Sequence, residues 1–514
     1  MRGTHTFVND LRKKVFAEVA RLAYEGGDYE RIEEIPYRII PGEVAEHRQN
    51  IFLERAIVGE RLRLAIGLPL RPVAAHAPVG RDIKKSAIAQ KYYDPPLVNI
   101  IPFACNACPE KQVLVTNACQ GCLAHPCQAV CPVSAVSIVE GKSVIDKEKC
   151  INCGRCIEEC PYNAIIKIER PCAAACGADA IGSDELGRAK IDYDKCVSCG
   201  MCLVNCPFSA IADKSQIFQL IHAIKEGHEV IAAIAPAFIG QFGKEVTPAV
   251  LKAAFREIGV ADVVEVAVGA DLAAIEEAEH FLEKVPHAQP FVATSCCPSW
   301  SVMAKNLYPD LALCISMTLT PMVVTARLIK KEHPNAKVVF VGPCAAKKLE
   351  ASRRSIRSDV DFVLTFEELM GIFEAKEIDF AALTPTAEDD FTSGTRAGRG
   401  FPVIGGVANA VVDVIELIDP SREVPVDYAS GLRECRKLLA LARAGKRDGY
   451  LIEGMACPGG CIAGAGIIQP IARSTAAVEQ YRRTAPLEKP VDSPFTEWLG
   501  EVHEWEDAAK KIDE

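Results

Sequence analysis

The chain has 514 residues, of which 49% are hydrophobic, with a formal net charge of −10 and 23 cysteines. That length suits roughly three domains of about 150 residues each, and that apolar fraction provides for a large core, so disorder is not the default. The acidic balance argues against nucleic acid as the main partner, because phosphate binding needs a basic face.

The opening segment MRGTHTFVND has no apolar signal core, and no apolar run reaches the ~18 residues of a membrane span. A cytoplasmic location with no membrane partner is therefore expected. In that reducing compartment a dense set of cysteines points to metal ligation rather than disulfides. Residues 1–95 hold no cysteine and read as a helical N-terminal region. In FVNDLRKKVFAEVARLAYEGG, apolar residues recur at spacings of three and four, with Asn9 or Asp10 as candidate caps and Gly26 as the stop. RQNIFLERAIVGERLRLAIGL repeats the pattern. These helices are expected to cover the next domain.

Residues 96–215 hold sixteen of the cysteines. CINCGRCIEECP sets Cys150, Cys153, Cys156 and Cys160 in a C-x2-C-x2-C-x3-C-P run, and CVSCGMCLVNCP repeats it at Cys196, Cys199, Cys202 and Cys206. Three thiolates at this spacing wrap three corners of a cubane, while the fourth leans toward a neighbouring cluster. Zinc favours two C-x-x-C pairs on a longer loop. CQGCLAHPCQAVCP gives the same run with two residues inserted, at Cys119, Cys122, Cys127 and Cys131. Two half-runs, Cys105/Cys108 in CNAC and Cys172/Cys176 in PCAAACGADAI, add up to one more, with Gly177 in place of the proline.

The expected arrangement is nested, with an inner ferredoxin-like unit at 119–160 inside an outer one. Exchange of the fourth cysteine between partner runs gives four sets. Cys119, Cys122 and Cys127 go with Cys160, and Cys150, Cys153 and Cys156 with Cys131. Cys105, Cys108 and Cys172 go with Cys206, and Cys196, Cys199 and Cys202 with Cys176. Sixteen cysteines for four [4Fe–4S] clusters leave none over. The rival grouping places Cys105, Cys108, Cys119 and Cys122 on one site, and resembles the four-cluster iron–sulfur subunits of molybdopterin oxidoreductases. Clusters in a row carry electrons and make no bonds, so the chemistry belongs to the second half.

In residues 216–470, the β-rich stretches EVIAAIAPAFIG, FVATSCC and AKVVFVGPC alternate with helical patterns such as PAVLKAAFREIG and TPMVVTARLIKKEH. Such alternation predicts α/β architecture on a largely parallel sheet, with functional groups where strands end. Residues 471–514 read as a surface tail. Three stretches carry thiols: TSCCPSW, VGPCAAKKLE and EGMACPGGCIAGAGIIQP. Their glycines permit close backbone approach to a bulky group, and Lys347 and Lys348 offer positive charge to an anionic ligand.

These stretches resemble, in order, the three signature motifs of [FeFe]-hydrogenases, and the resemblance spans about 230–470. It implies an α+β, α/β multidomain protein: a nested four-cluster ferredoxin-like domain, then an α/β catalytic domain with two lobes around an H-cluster. That cofactor is a [4Fe–4S] cubane bridged to a diiron subsite with CO, cyanide and an azadithiolate. Carried over by position, Cys297, Cys344, Cys457 and Cys461 hold the cubane, and Cys461 bridges to the diiron subsite. Cys296 relays protons from the bridgehead amine, and the path runs on through Glu277 and Ser316. His280 stands where better-known enzymes have a second glutamate. Lys347 faces a cyanide, with Met455, Pro236, Ala237 and Pro321 around the diiron subsite. Gly342 replaces a methionine and Met322 a glutamine, changes that remove contacts near it. Cys314 and Cys435 are structural.

The implied reaction is the reversible interconversion of protons, electrons and H2. A ferredoxin-type carrier is the implied electron partner, and maturation proteins load the cofactor. The cysteine-free N-terminal region, the lack of a sensory domain and the VGPC and GAG variants resemble group B of the family. Three other readings are a non-catalytic iron–sulfur assembly relative, an H2 sensor and a bare electron-transfer protein. The relay cysteine and the three motifs speak against each.

Overall fold

The structure is a computed structural model and describes residues 6–386 and 389–500. Its first helix, Phe7–Glu25, stops at Gly26, where φ is 67°. Its cap is Thr6 rather than Asn9 or Asp10. Thr6 alone has the extended backbone a cap requires, and its hydroxyl accepts from Asn9 N at 3.3 Å. The helix Ile51–Ala65 is capped by Asn50, which accepts from Leu53 N at 2.8 Å.

The N-terminal helices do more than cover the cysteine block that follows them. Phe16, Val19 and Ala20 join one continuous core with Phe218, Ile221, Leu369 and Phe373 of the second half. A Cβ on Gly371 would lie 2.5 Å from Phe16 Cβ, so only glycine allows these helices to come so close. Leu53 and Ile57 reach the outer cysteine unit instead. The N-terminal region thus clamps both halves together.

In the cysteine block the short apolar pieces after each Cys-Pro become strands. Val98–Ile100 pairs antiparallel with Ile211–Asp213, closing the outer unit at its ends. Gln112–Val115 pairs with Ile165–Ile168 and encloses the inner unit within it. Two hairpins, Val136–Val139 with Lys142–Ile145 and Ile181–Ser183 with Ala189–Ile191, complete the ferredoxin-like block.

The second half holds two parallel sheets. One runs in the order Asp262–Glu265, Val230–Ile234, Lys337–Gly342, Phe362–Thr365. The other runs Val292–Ala293, Leu451–Met455, Val426–Ser430. Val230–Ile234 is buried at every position, as expected of a parallel strand covered on both faces. The C-terminal ends of four strands lead into Pro236, Cys296, Cys344 and Cys457, which sets the site at one edge of both sheets.

Two sequence expectations change here. Residues Ile471–Arg483 form a helix whose Val478 and Tyr481 are buried, so the segment read as a tail opens with an integral element. The rest of that reading, 501–514, lies outside the described residues. Lys348 does not face a ligand. Its ammonium is buried between Asp213 and Glu368, at 2.7 Å from each, and donates to Lys214 O at 2.9 Å. It joins the end of the cysteine block to the second half of the chain. No described helix is long and apolar enough to cross a membrane.

Candidate active site

Four cysteine loops share one backbone. The residue before the second cysteine is left-handed in each: Ala107 at φ 45°, Gly121 at 62°, Asn152 at 54° and Ser198 at 53°. So is the third residue after the last cysteine: Ser134 at 50°, Asn163 at 50°, Asp179 at 52° and Ser209 at 55°. The next N–H then donates to that cysteine's sulfur: Ala135 to Cys131 at 3.2 Å, Ala164 to Cys160 at 3.4 Å, Ala180 to Cys176 at 3.3 Å and Ala210 to Cys206 at 3.4 Å. Left-handed residues of this kind turn successive N–H groups into an anion-binding concavity, and off glycine they carry strain. The split run and the run with the insertion therefore match the two regular ones.

Cys105, Cys108, Cys172 and Cys206 line one small cavity, without Cys119 or Cys122. Cys199 and Cys202 interact electrostatically with Cys196 and Cys176. Cys156 shares an apolar cluster with Cys131 and Cys150 and interacts electrostatically with Cys153. Cys127 and Cys160 share an apolar cluster with Val113 and Ile165, while Cys119 accepts from Ser143 N at 3.5 Å across the loop that also carries Cys122. No set of three or more His, Cys, Asp or Glu among the described residues is gathered for a single metal ion.

The three thiol motifs of the second half converge on one internal cavity. Cys296, Cys297, Cys344, Cys457 and Cys461 all line it, as does Lys347. Pro236, Ala237, Pro321, Met322 and Met455 complete the wall, and Cys199 reaches it from the ferredoxin-like block. The motifs are held by close contacts at glycine. A Cβ on Gly454 would lie 2.1 Å from the Trp300 ring, whose Nε1 donates to Thr294 O at 2.9 Å. A Cβ on Gly464 would meet Pro343 O at 2.2 Å. Gly454→Ala is therefore expected to cost about 2 kcal/mol by overpacking, read from a denaturant midpoint. At Gly342 the packing expected to be missing is supplied from within the strand: the Phe340 ring, which lines the cavity, lies 2.3 Å from where a Cβ would stand.

The adjacent thiols differ in their partners. Cys297 accepts from Ala456 N at 3.4 Å. Burial and the neighbouring thiols Cys461 and Cys297 push Cys296 well above the usual thiol range, so it stays protonated. Lys347 donates to the main-chain oxygen of Cys296 at 3.2 Å and pairs with Glu350 at 2.7 Å. Burial opposes its charge, but Glu350 together with the Cys344 and Cys296 thiols holds the ammonium above its ordinary value.

Glu277 and Ser316 stand together outside the cavity wall. The hydroxyls of Ser316 and Thr318 reach the Glu277 carboxyl, and burial raises it to about 7. Ser316 Oγ and Thr318 Oγ1 are 2.8 Å apart. Glu277 Oε1 has no hydrogen-bond partner. His280 does not join this group. It is half-buried, its neighbours are Gln289, Lys284 and Glu283, and burial lowers its pKa.

Two polar residues of the site escaped the sequence reading. Thr318 lacks a motif of its own. Glu453 lies in the buried strand Leu451–Met455, accepts from Gly405 N and Ala408 N at 2.9 and 2.8 Å, and acts electrostatically on Cys296 and Cys461. Its signal was a lone charge in the apolar run LIEGM. The Cys435 thiol lies 3.4 Å from both Ala429 O and Met455 O, either of which can accept its one proton, and Cys314 is buried in the second core, so both have structural partners.

Residues 228–465 match the family description "Iron only hydrogenase large subunit, C-terminal domain". Residues 143–166 match a 4Fe-4S binding domain and 166–217 an LdpA Fe-S cluster-binding domain. Iron hydrogenase 1 of Clostridium pasteurianum is 30% identical over 63% of this chain and 64% of its own length, so the chain spans just under two thirds of that relative. Cytosolic iron-sulfur assembly component 3 of Pongo abelii is 27% identical over 48% of this chain and 64% of its own. The solved [FeFe]-hydrogenase HydA1 from Chlamydomonas reinhardtii superposes on 53% of this chain and 89% of its own with a TM-score of 0.44 at 22% identity. Over residues 228–465 the chain is thus similar to the large subunit of iron-only hydrogenases, and its relatives include hydrogenases and iron-sulfur assembly proteins alike.

Proposed function

We propose that the protein is a catalytic [FeFe]-hydrogenase that interconverts H2 with protons and electrons. The observation that carries this is the convergence of Cys297, Cys344, Cys457 and Cys461 with Cys296 on one buried cavity. The donor set fits the cofactor: four thiols on one cavity, Cys297 with main-chain N–H support from Ala456, and a buried ammonium for an anionic ligand. Cys297, Cys344, Cys457 and Cys461 would hold the cubane, and Cys461 would bridge to the diiron subsite. When bound, that subsite supplies the site of H–H cleavage. Lys347 stands for a cyanide, and Pro236, Ala237, Pro321 and Met455 exclude water around it.

Cys296 would move the proton, with Glu277 and Ser316 carrying it outward. Thr318, bonded to Ser316, opens a cleft also lined by Ser295, Thr320 and Arg353, an exit that does not require His280. Four accessory clusters on the sixteen cysteines would conduct electrons, beginning at the quartet that contains Cys199, which faces Cys297. A ferredoxin-type carrier would receive them, and maturation proteins would load the diiron subsite. The VGPC and GAG variants favour group B. Domain limits at 95, 215 and 470 follow the same reading.

Assembly proteins of the same lineage offer a second reading, favoured by the similarity to cytosolic iron-sulfur assembly component 3. Infrared spectroscopy separates the two. After co-expression with hydrogenase maturation proteins, bands of metal-bound CO and cyanide are expected together with H2 evolution. Their absence from a fully matured sample would select the assembly reading.

A further inference from the structure

Two guanidinium groups lie buried in and beside the cysteine block with no carboxylate of their own. Arg170 is 4% exposed, and its donors go to main-chain oxygens: Gly182 at 2.9 Å, Cys108 and Gly187 at 3.0 Å. Arg61 is 5% exposed and donates to the main-chain oxygens of Ser209 and Ile211. The Nε of each has no hydrogen-bond partner. The carboxylates that Arg61 senses, Asp213 and Glu367, are already paired with Lys348 and Arg12. A guanidinium does not shed its proton, and burying it unpaired is costly unless another negative charge offsets it.

Both cations flank the same quartet. Arg170 lines the cavity of Cys105, Cys108, Cys172 and Cys206 and acts on Cys108 and Cys172. Arg61 grips the main chain on either side of Ala210, whose N–H bonds Cys206 at 3.4 Å, and its charge is coupled to that of Cys206. In the inner unit the place of Arg170, just before Pro-Cys, is taken by the half-buried His125. A cubane on thiolates is anionic, and reduction adds one further negative charge. Fixed positive charge in a low-dielectric setting favours the reduced state.

We propose that Cys105, Cys108, Cys172 and Cys206 hold the most easily reduced of the four accessory clusters, with Arg170 and Arg61 as the positioning charges that raise its potential. This rests on the four-cluster reading. The step is a one-electron reduction of the oxidised cubane by its neighbour on Cys176, Cys196, Cys199 and Cys202, which is thereby oxidised; no proton or bond is exchanged. Cys172, Cys202 and Cys206 lie in one buried apolar cluster, so the two quartets are adjacent. An electron would be stored one cluster away from the catalytic cubane, leaving the nearer cluster free for the second.

The test is a redox titration of the full-length, cluster-loaded protein before maturation, followed by EPR. Arg170→Gln is expected to lower the highest midpoint potential so that the reduced-to-oxidised ratio at fixed potential falls about tenfold, about 59 mV for one electron. Arg61→Gln should lower the same signal, and Arg170→Lys should restore most of the loss. An unchanged highest potential with iron content intact, or a shift in a different cluster, would overturn the proposal. If Arg170→Gln loses iron, Arg61→Gln decides by the same reading, and loss of that cluster from both variants would assign them a structural role instead. A missing shift in a protein whose separately matured sample shows normal CO and cyanide bands counts against this proposal alone. A shift in a protein whose separately matured sample lacks those bands counts against the hydrogenase reading alone.

Discussion

Replacing Cys296 by alanine is expected to lower H2 evolution and uptake about a thousandfold, while iron content and the CO and cyanide bands persist. The size follows from removing a positioned acid–base, which is worth 10²–10⁴-fold. The persistence follows from the division of labour in the Cys-Cys pair. Cys297 keeps its hydrogen bond from Ala456, and the main-chain oxygen of residue 296 still accepts from Lys347. Cys296→Ser tests the chemistry more closely, since it keeps the shape but offers a hydroxyl that gives up its proton far less readily. It should be nearly as slow as alanine. If either variant turns over H2 at the wild-type rate, Cys296 is a packing residue and the assembly reading gains ground.

The sequence disclosed the site better than its surroundings, for a physical reason. Cysteine spacing encodes ligand geometry over a few residues, so the four runs could be read even where one was split between Cys108 and Cys172. Their shared left-handed positions follow from that local winding. The alternation of apolar strands and helices likewise announced the parallel sheets. Contacts between distant segments left no such trace. Lys348 read as a ligand-facing cation because it follows Lys347, yet the two point apart on one short helix, and the partners of Lys348 lie at positions 213 and 368. The packing role of Phe340 beside Gly342 depends on which face of the strand turns to the cavity. The helix Phe7–Glu25 carried its stop and its apolar stripe in its own residues, but nothing there named the core it joins, 200 to 360 positions later.

Glu277→Gln should move stability and activity in opposite directions. Burial raises the Glu277 carboxyl from 4.5 to about 7. The native state therefore binds this proton more tightly than the unfolded chain does. Its contribution to stability is full below about pH 4.5, falls as pH rises toward 7, and is gone above that. The total loss is on the order of 3 kcal/mol for a shift of this size. Glutamine is neutral at every pH, so the variant should show a flatter stability profile and a higher melting temperature at pH 8 than the wild type. Turnover should fall about a hundredfold, because an amide cannot accept and release the proton that Ser316 and Thr318 are placed to pass on. A carboxyl poised near 7 is well matched to proton transfer at neutral pH, and that match is costly for a buried acid. Melting curves across pH 5–8, set beside H2 evolution by the same samples, check both halves. A variant that is more stable at pH 8 and equally active would leave Glu277 without a part in the proton path. One that is slower yet more stable would explain why the chain keeps an ionisable group, with one oxygen unpartnered, inside the helix Ala267–Lys284.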